Sequence, residues 1–442
     1  MSKEQKNNVA SYVKTKIGDH ELKPETLMMS YGYDPQLSEG SVKPPVFLTS
    51  TFVFSSAEDG EEFFNVMSGR KDAPEGDRAG LIYSRFNHPN AEMIEDRMAL
   101  LEGAQSAAVM SSGMGAISAV LFGFLRPGDV ILSSSPLYGG TETLIRGALA
   151  NFGIKSVSFS DGINEGALRE AVEKAKKLGR IAMVFCETPS NPTNTLVDIE
   201  LVNQIIGELE SETGHRPLFV CDNTMLGPVC QRVCPQGVDL ATYSLTKYIG
   251  GHSDLVAGAV CGRKDLIKLV KSMRGSIGLN LDPHTCWMIS RSLETLSLRM
   301  NRATQSGEKV ACWIDENPYI TAKIYHPELM EDKKYQEVYR RQCTGAGSTF
   351  SFVVDAPKTD VFKFINALSL FKSAVSLGGT ESLVCHPAST THSGVAKELR
   401  DITCVSDGLV RLSIGLEHPD DLIADLDNAF AQAFSQGLKK AG

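Results

Sequence analysis

Between residues 91 and 261 short apolar runs alternate with stretches of helical length and spacing. The runs fall at 106–110, 130–133, 154–160, 181–187, 218–222 and 255–261. Strands separated by helices of this size predict an α/β fold, a mostly parallel sheet covered by helices on both faces. In such sheets ligands bind beyond the carboxyl ends of the strands. The polar residues that follow the runs are therefore the candidates for chemistry: Ser112, Tyr138, Glu187, Asp222, Ser244 and Lys247.

The texture changes on either side of this section. A helix-rich stretch at 283–315 leads into a smaller α+β region, with strands expected at 348–355, 374–377 and 409–416 and helices at 360–370 and 420–434. Residues 330–345 are charged and polar and read as a surface insertion. At the other end, residues 1–40 read as an arm with little core of its own, and Pro44-Pro45 introduces an extended apolar segment. Residues 55–80, rich in Glu, Asp and Gly, read as a mobile surface loop with some helix near 58–67. A chain of 442 residues suits more than one domain. The expected division is an arm at 1–80, an α/β domain at 81–295 and an α+β domain at 296–442.

The formal net charge of -9 gives no reason to expect a nucleic-acid partner. No apolar run reaches the ~18 residues a membrane span needs, and residues 1–26 lack the apolar core of a secretory signal. Ten cysteines without C-x-x-C pairing suit free thiols in a reducing cytoplasm. Cys230 and Cys234 have half the spacing of a metal site, but no second Cys/His pair answers them, so no metal is expected.

One stretch carries reactive chemistry: Ser244-Leu-Thr246-Lys247-Tyr-Ile-Gly-Gly251-His-Ser-Asp254. A lysine becomes useful when its amine loses its proton or forms an imine. Ser244-Leu-Thr-Lys247 also fits the S-x-x-K pattern of serine acylases, but the partner motifs S-D-N and K-T-G are absent. Taken together, the strand-end residues supply a coenzyme site. Lys247 would hold an aldehyde, and Asp222 would keep a ring nitrogen protonated. Ser244, Thr246, Gly113 and Met114 would bind a phosphate, helped by the helix that opens after Ser111-Ser-Gly-Met-Gly. Tyr138 would stack on a ring and Arg411 would clamp a substrate carboxylate. Each has an ordinary counterpart: a helix cap for Asp222, a core edge for Tyr138, a surface charge for Arg411.

The ordered motifs Tyr83-Ser-Arg85, Ser111-Ser-Gly-Met-Gly, Leu137-Tyr138-Gly-Gly, Glu187-Thr-Pro-Ser-Asn191-Pro, Asp222-Asn-Thr224, the Lys247 stretch, Ser376-Leu-Gly-Gly, His386-Pro-Ala-Ser and Arg411-Leu-Ser span residues 40–435. On these motifs the chain resembles the pyridoxal-phosphate enzymes of cysteine and methionine metabolism. That group includes cystathionine γ-synthase, cystathionine γ-lyase, methionine γ-lyase and O-acylhomoserine sulfhydrylase. The resemblance implies the type I fold of such enzymes and pyridoxal 5'-phosphate as cofactor. It makes Lys247 the Schiff-base lysine that also moves protons. Tyr138 becomes the stacking residue that protonates the leaving group. It sets Asp222, with Thr224 beside it, against the pyridine nitrogen, and Asn191 near the phenolic oxygen. Ser376, Arg411 and Asn191 fall to the substrate. Tyr83 and Arg85 are implied to reach a neighbouring subunit's phosphate, which makes 1–80 partly inter-subunit and the protein a dimer paired into a homotetramer.

Within that group, cystathionine enzymes resemble one another in placing acids just before Tyr-Ser-Arg and before Ser-Leu-Gly-Gly. Here those positions hold Ile82 and Val375, which cannot pair a distal ammonium. This favours γ-elimination from methionine or a similar thioether, and the run to His392 leans the same way. Gly140, Arg274-Gly275 and the 376–383 run depart from the methionine γ-lyase pattern, so γ-replacement on an O-acylhomoserine is the alternative.

Overall fold

The structure, a computed structural model, describes residues 13–68, 70–71, 80–317, 323–395 and 397–434. The first part of the expected arm, residues 1–12, and positions 69 and 72–79 of the expected loop lie outside the described residues.

A seven-stranded sheet forms the centre: β1 (Ser106–Met110), β2 (Val130–Ser134), β3 (Lys155–Phe159), β4 (Ile181–Glu187), β5 (Leu218–Asp222), β6 (Leu240–Ser244) and β7 (Gly258–Gly262). The spatial order is β1-β7-β6-β5-β4-β2-β3. β2 to β6 pair in parallel, while β7 lies antiparallel between β6 and β1. The middle strands are buried along their whole length because helices cover both faces. Alternation along β4 divides the core accordingly. Val184 and Cys186 join the apolar cluster on one face, Met183 and Phe185 the cluster on the other.

The chain leaves this sheet through the helices Pro283–Leu293 and Leu296–Asp315. It then builds a second sheet from β8 (Lys323–Tyr325), β9 (Thr349–Val353), β10 (Lys372–Ser373), β11 (Leu383–Cys385) and β12 (Leu409–Ser413), in the order β8-β9-β12-β11-β10. Phe350, Phe352, Val410 and Leu412 pack there against the helices Lys358–Ala367 and Pro419–Phe434, where Phe364 and Phe430 stack at 4.3 Å.

Four expectations are corrected. The strand expected at 374–377 is absent. Its apolar residues Val375 and Leu377 line a cavity instead, and the sheet runs through β10 and β11 on either side. The run at 255–261 becomes strand only from Gly258, and Val256 also faces the cavity. β6, unforeseen because Leu-Ala-Thr-Tyr-Ser carries few large apolar residues, is buried between β5 and β7. The 330–345 stretch is not an insertion on the surface. It forms the helix Lys333–Gln342, capped by Asp332, and buries Tyr335, Val338, Tyr339 and Gln342. Those positions follow the i, i+3, i+4, i+7 spacing of one helix face.

The arm contributes more than expected: its helix Pro24–Ser30 adds Leu27 and Met28 to the main core. Among the described residues no helix is long and apolar enough to cross a membrane.

Candidate active site

Lys247 lies in the turn that follows β6, and the fold fixes that turn from two sides. Arg299, on the helix Leu296–Asp315, donates from Nη1 to the Tyr248 carbonyl at 2.6 Å and from Nη2 to those of Ile249 at 3.2 Å and Ser292 at 2.8 Å. The guanidinium occupies the space a side chain at Gly251 would need, since a Cβ there would sit 1.9 Å from Nη1. From the other side Gly378, with φ at +75°, brings the Ser376-Leu-Gly-Gly loop onto the turn. A Cβ there would meet Tyr248 N at 2.7 Å. This contact carries Ser376 to the lysine, whose Nζ donates to Ser376 Oγ at 3.0 Å. Burial, and then the Arg411 charge, hold the Lys247 amine below its usual pKa.

Two acids face the same space. Glu187 and Asp222 are the last residues of neighbouring strands and pair in register. Asp222 Oδ1 accepts from Thr224 N at 3.1 Å and Thr224 Oγ1 at 2.6 Å, while Thr224 Oγ1 accepts from Ser244 N at 2.9 Å. Burial raises the Asp222 carboxyl above its usual range against those bonds. Glu187 Oε2 accepts from Tyr138 N at 2.7 Å and Oε1 from Asn191 N at 2.8 Å. Burial, then the Asp222 charge, push Glu187 up to about 8.

Arg411, 2 % exposed, closes the far wall. Its Nη1 donates to Asn191 Oδ1 at 3.0 Å, and its Nη2 to the carbonyls of Ser376 at 2.8 Å and Val375 at 3.3 Å. Its Nε is buried with no partner among the described residues. On the opposite side the helix Gly113–Phe124 starts at Ser112, whose Oγ caps Gly115 N at 2.9 Å. A Cβ at Gly113 would lie 2.9 Å from Ser244 Cβ, so only glycine allows this helix start to sit against Ser244. Thr246 Oγ1 accepts from Ala257 N at 3.0 Å and so ties the lysine turn to the segment entering β7.

These groups enclose a cavity of about 270 Å³. Gly113, Met114, Tyr138, Asn191, Asp222, Thr224, Ser244, Thr246, Lys247 and Arg411 all line it. Ser376 reaches it through its bond to Lys247. Tyr83 and Arg85 do not line it. Tyr83 is 41 % exposed, and Arg85 lies over the Phe86 ring and donates to Gly275 O at 2.5 Å. Thr391, Val256 and Leu377 line the cavity without having been singled out. The first sits inside the His386–His392 motif; the other two carry no polar signal.

A seven-stranded mixed sheet with a half-buried lysine and a carboxyl at adjacent strand ends defines the class, a pyridoxal-phosphate enzyme of fold type I. The family model for Cys/Met metabolism PLP-dependent enzymes matches residues 25–431, and the chain belongs to that family. An L-methionine gamma-lyase of Fusobacterium nucleatum subsp. nucleatum is 36 % identical over 407 residues, 91 % of this chain and 94 % of that one. The solved cystathionine gamma synthase of Xanthomonas oryzae pv. oryzae, in complex with aminoacrylate and cysteine, is 31 % identical with a TM-score of 0.82. The match covers 94 % of this chain and 99 % of that one. A putative O-acetylhomoserine (thiol)-lyase of Campylobacter jejuni, solved with N'-pyridoxyl-lysine-5'-monophosphate, is 28 % identical with a TM-score of 0.83. It covers 92 % of this chain and 99 % of that one.

The cofactor of the family is pyridoxal 5'-phosphate. The donor set fits it: an amine for the aldehyde, an acid for the ring nitrogen, hydroxyls and a glycine-opened helix start for the phosphate. Arg411 Nε remains a buried donor without a partner among the described residues, beside that set.

Proposed function

We propose that this chain catalyses γ-elimination on methionine or a close thioether amino acid, releasing a thiol, 2-oxobutanoate and ammonia. The observation that carries this reading is the outer wall of the cavity. Val256, Val375, Leu377 and Thr391 stand there, and among the described residues the only ionisable groups lining the cavity are the inner Glu187, Asp222, Lys247 and Arg411, with the Tyr138 phenol. A distal ammonium would find no carboxylate at that wall among the described residues, whereas a methylthio group would lose nothing by burial.

Lys247 is the residue assigned to the coenzyme aldehyde, with Asp222 on the ring nitrogen and Gly113, Met114, Ser244 and Thr246 around the phosphate. When bound, the coenzyme supplies an electron-withdrawing ring that stabilises negative charge on the carbons next to the substrate nitrogen. Arg411 holds the substrate carboxylate, and Asn191 keeps the guanidinium in place. Once the substrate amine has displaced it, the lowered Lys247 amine takes a proton from the α-carbon and then one from the β-carbon, whose bonding electrons expel the γ-sulfur, with Ser376 Oγ fixing the direction of the amine. Tyr138 gives a proton to the departing sulfur from its hydroxyl.

Incubating the coenzyme-loaded protein with L-methionine should yield methanethiol and 2-oxobutanoate in equal amounts. Neither product from fully loaded protein would refute the assignment. One observation favours γ-replacement on an O-acylhomoserine as the second reading. Gly140 leaves room that the Tyr138 ring fills, with a Cβ there only 2.7 Å from Tyr138 Cε1. This departs from the residue methionine γ-lyases resemble one another in carrying. Product formed only when a thiol or sulfide accompanies the ester would select it.

We assign Tyr83 and Arg85 to a neighbouring subunit's phosphate, in a cytoplasmic homotetramer of paired dimers. Their exposure outside their own cavity supports this, as do Val42 just before the extended segment and Leu48 and Val53 within it, all strongly exposed. Arg85→Ala should weaken coenzyme binding about tenfold or more, the loss of a charge-assisted bond. Equilibrium dialysis measures this, with light scattering reporting the dimer. Unchanged affinity in an intact dimer would return Arg85 to a local role on Gly275.

A further inference from the structure

Glu187 is buried, lines the cavity and has no cation against it among the described residues. A buried acid without a counter-ion is costly, so its hydrogen bonds need a reason. Its two oxygens accept one backbone N–H each, from Tyr138 in the loop after β2 and from Asn191 in the loop after β4. Its own N–H donates to Ser134 Oγ at 3.1 Å, which ties the end of β4 to the end of β2. Asn191 in turn accepts from Arg411. One carboxyl group thus stands midway in a continuous line from Tyr138 through Asn191 to Arg411.

We propose that Glu187 is a positioning residue: its carboxyl group sets the spacing between the tyrosine beside the coenzyme ring and the Asn191–Arg411 pair at the substrate carboxylate. The inference rests on the roles proposed above for Tyr138 and Arg411. It goes beyond them in making the two ends of the site depend on one side chain whose oxygens are bonded to the backbone of both loops. The geometry is specific to glutamate. Glutamine has the same length but only one acceptor oxygen, so one of the two N–H groups would face an NH₂ group and lose its partner. Aspartate keeps both oxygens but is one methylene shorter, so it draws the two loops together or releases one.

The test compares Glu187→Gln and Glu187→Asp with the parent protein. Four readouts are taken: hydrogen exchange of peptides containing Tyr138 and Asn191, the visible circular dichroism of the bound coenzyme, coenzyme Kd, and the split between KM and kcat. In Glu187→Gln, exchange should quicken in one of the two peptides and the dichroic band should change. Coenzyme Kd should rise about tenfold, the effect of one unsatisfied buried donor. KM for the amino acid should rise more than kcat falls. Glu187→Asp should move the same readouts less. A variant that lowers only Tm, with exchange at both loops, dichroism, Kd and KM as in the parent, overturns the proposal and leaves Glu187 a purely structural residue. If Glu187→Gln does not fold, Glu187→Asp decides, and parent-like dichroism and Kd in that variant overturn it equally. Borohydride trapping on the parent separates the two levels. A parent without pyridoxyl-Lys247 refutes the underlying assignment, whereas a trapped parent with an unaffected Glu187→Gln refutes only this one.

Discussion

Replacing Lys247 by alanine should leave a folded protein that traps no coenzyme under borohydride and lacks the visible absorbance of the loaded parent. Its turnover should fall by roughly 10⁴-fold or more, because covalent attachment and proton transfer disappear together. The fold should survive because the turn does not depend on the lysine side chain. Arg299 holds the carbonyls of Tyr248 and Ile249, Gly378 packs on Tyr248 N, and Lys247 Nζ donates to the side chain of Ser376, not to the backbone of its own turn. Mass spectrometry after reduction locates the modified residue directly. Coenzyme covalently trapped elsewhere in the parent, or turnover in Lys247→Ala within tenfold of it, would displace the lysine from its assigned role. Arginine at 247 would be a poor control, since a fixed charge there would stand against Arg411.

Much of this arrangement could be read from the residues. Period and length located six of the seven central strands, the last with its start three residues early, and the helices between them, because a strand buried on both faces must be apolar throughout. The site followed from the rule that ligands collect at strand ends, which picked Tyr138, Asp222, Ser244 and Lys247 before any distance was known. The failures share one physical cause: an apolar residue says that something covers it, not what. Val375, Leu377 and Val256 resemble strand residues, yet they are apolar because they face a cavity. Charge misled in the opposite sense at 330–345, where Lys333, Lys334, Glu337 and Arg340 occupy the outer side of a helix whose inner side is core. The role of Arg299 left no trace in the sequence, since its bonds to the carbonyls of Tyr248 and Ile249 join residues 51 and 50 positions apart in the chain. Glu187 was visible as a strand-end acid, but its two partners are fixed only once β2 and β4 lie side by side.

The other large effect is expected at Arg411. Its Nη groups are already committed to Asn191, Val375 and Ser376, so the side chain cannot swing, and its Nε–H is the donor left over. A buried donor held in one direction without a partner is poised for an anion that arrives later. Arg411→Ala should raise KM for the amino acid by about 10²- to 10³-fold, the size of a lost buried charge pair, with coenzyme still trapped on Lys247. Arg411→Lys should recover little of this, because an ammonium cannot hold Asn191 and the two carbonyls while presenting a further donor at the Nε position. The two variants also differ at the lysine. Arg411 is the second cause, after burial, of the lowered Lys247 amine, so Arg411→Ala should move that amine upward toward its usual value. The acidic limb of the kcat profile, which reports the lysine once substrate has displaced it, should then shift to higher pH, since more of the amine stays protonated at any given pH. Steady-state kinetics across pH measures both effects. An Arg411→Ala enzyme with unchanged KM and an unshifted profile would mean that the substrate carboxylate is held elsewhere.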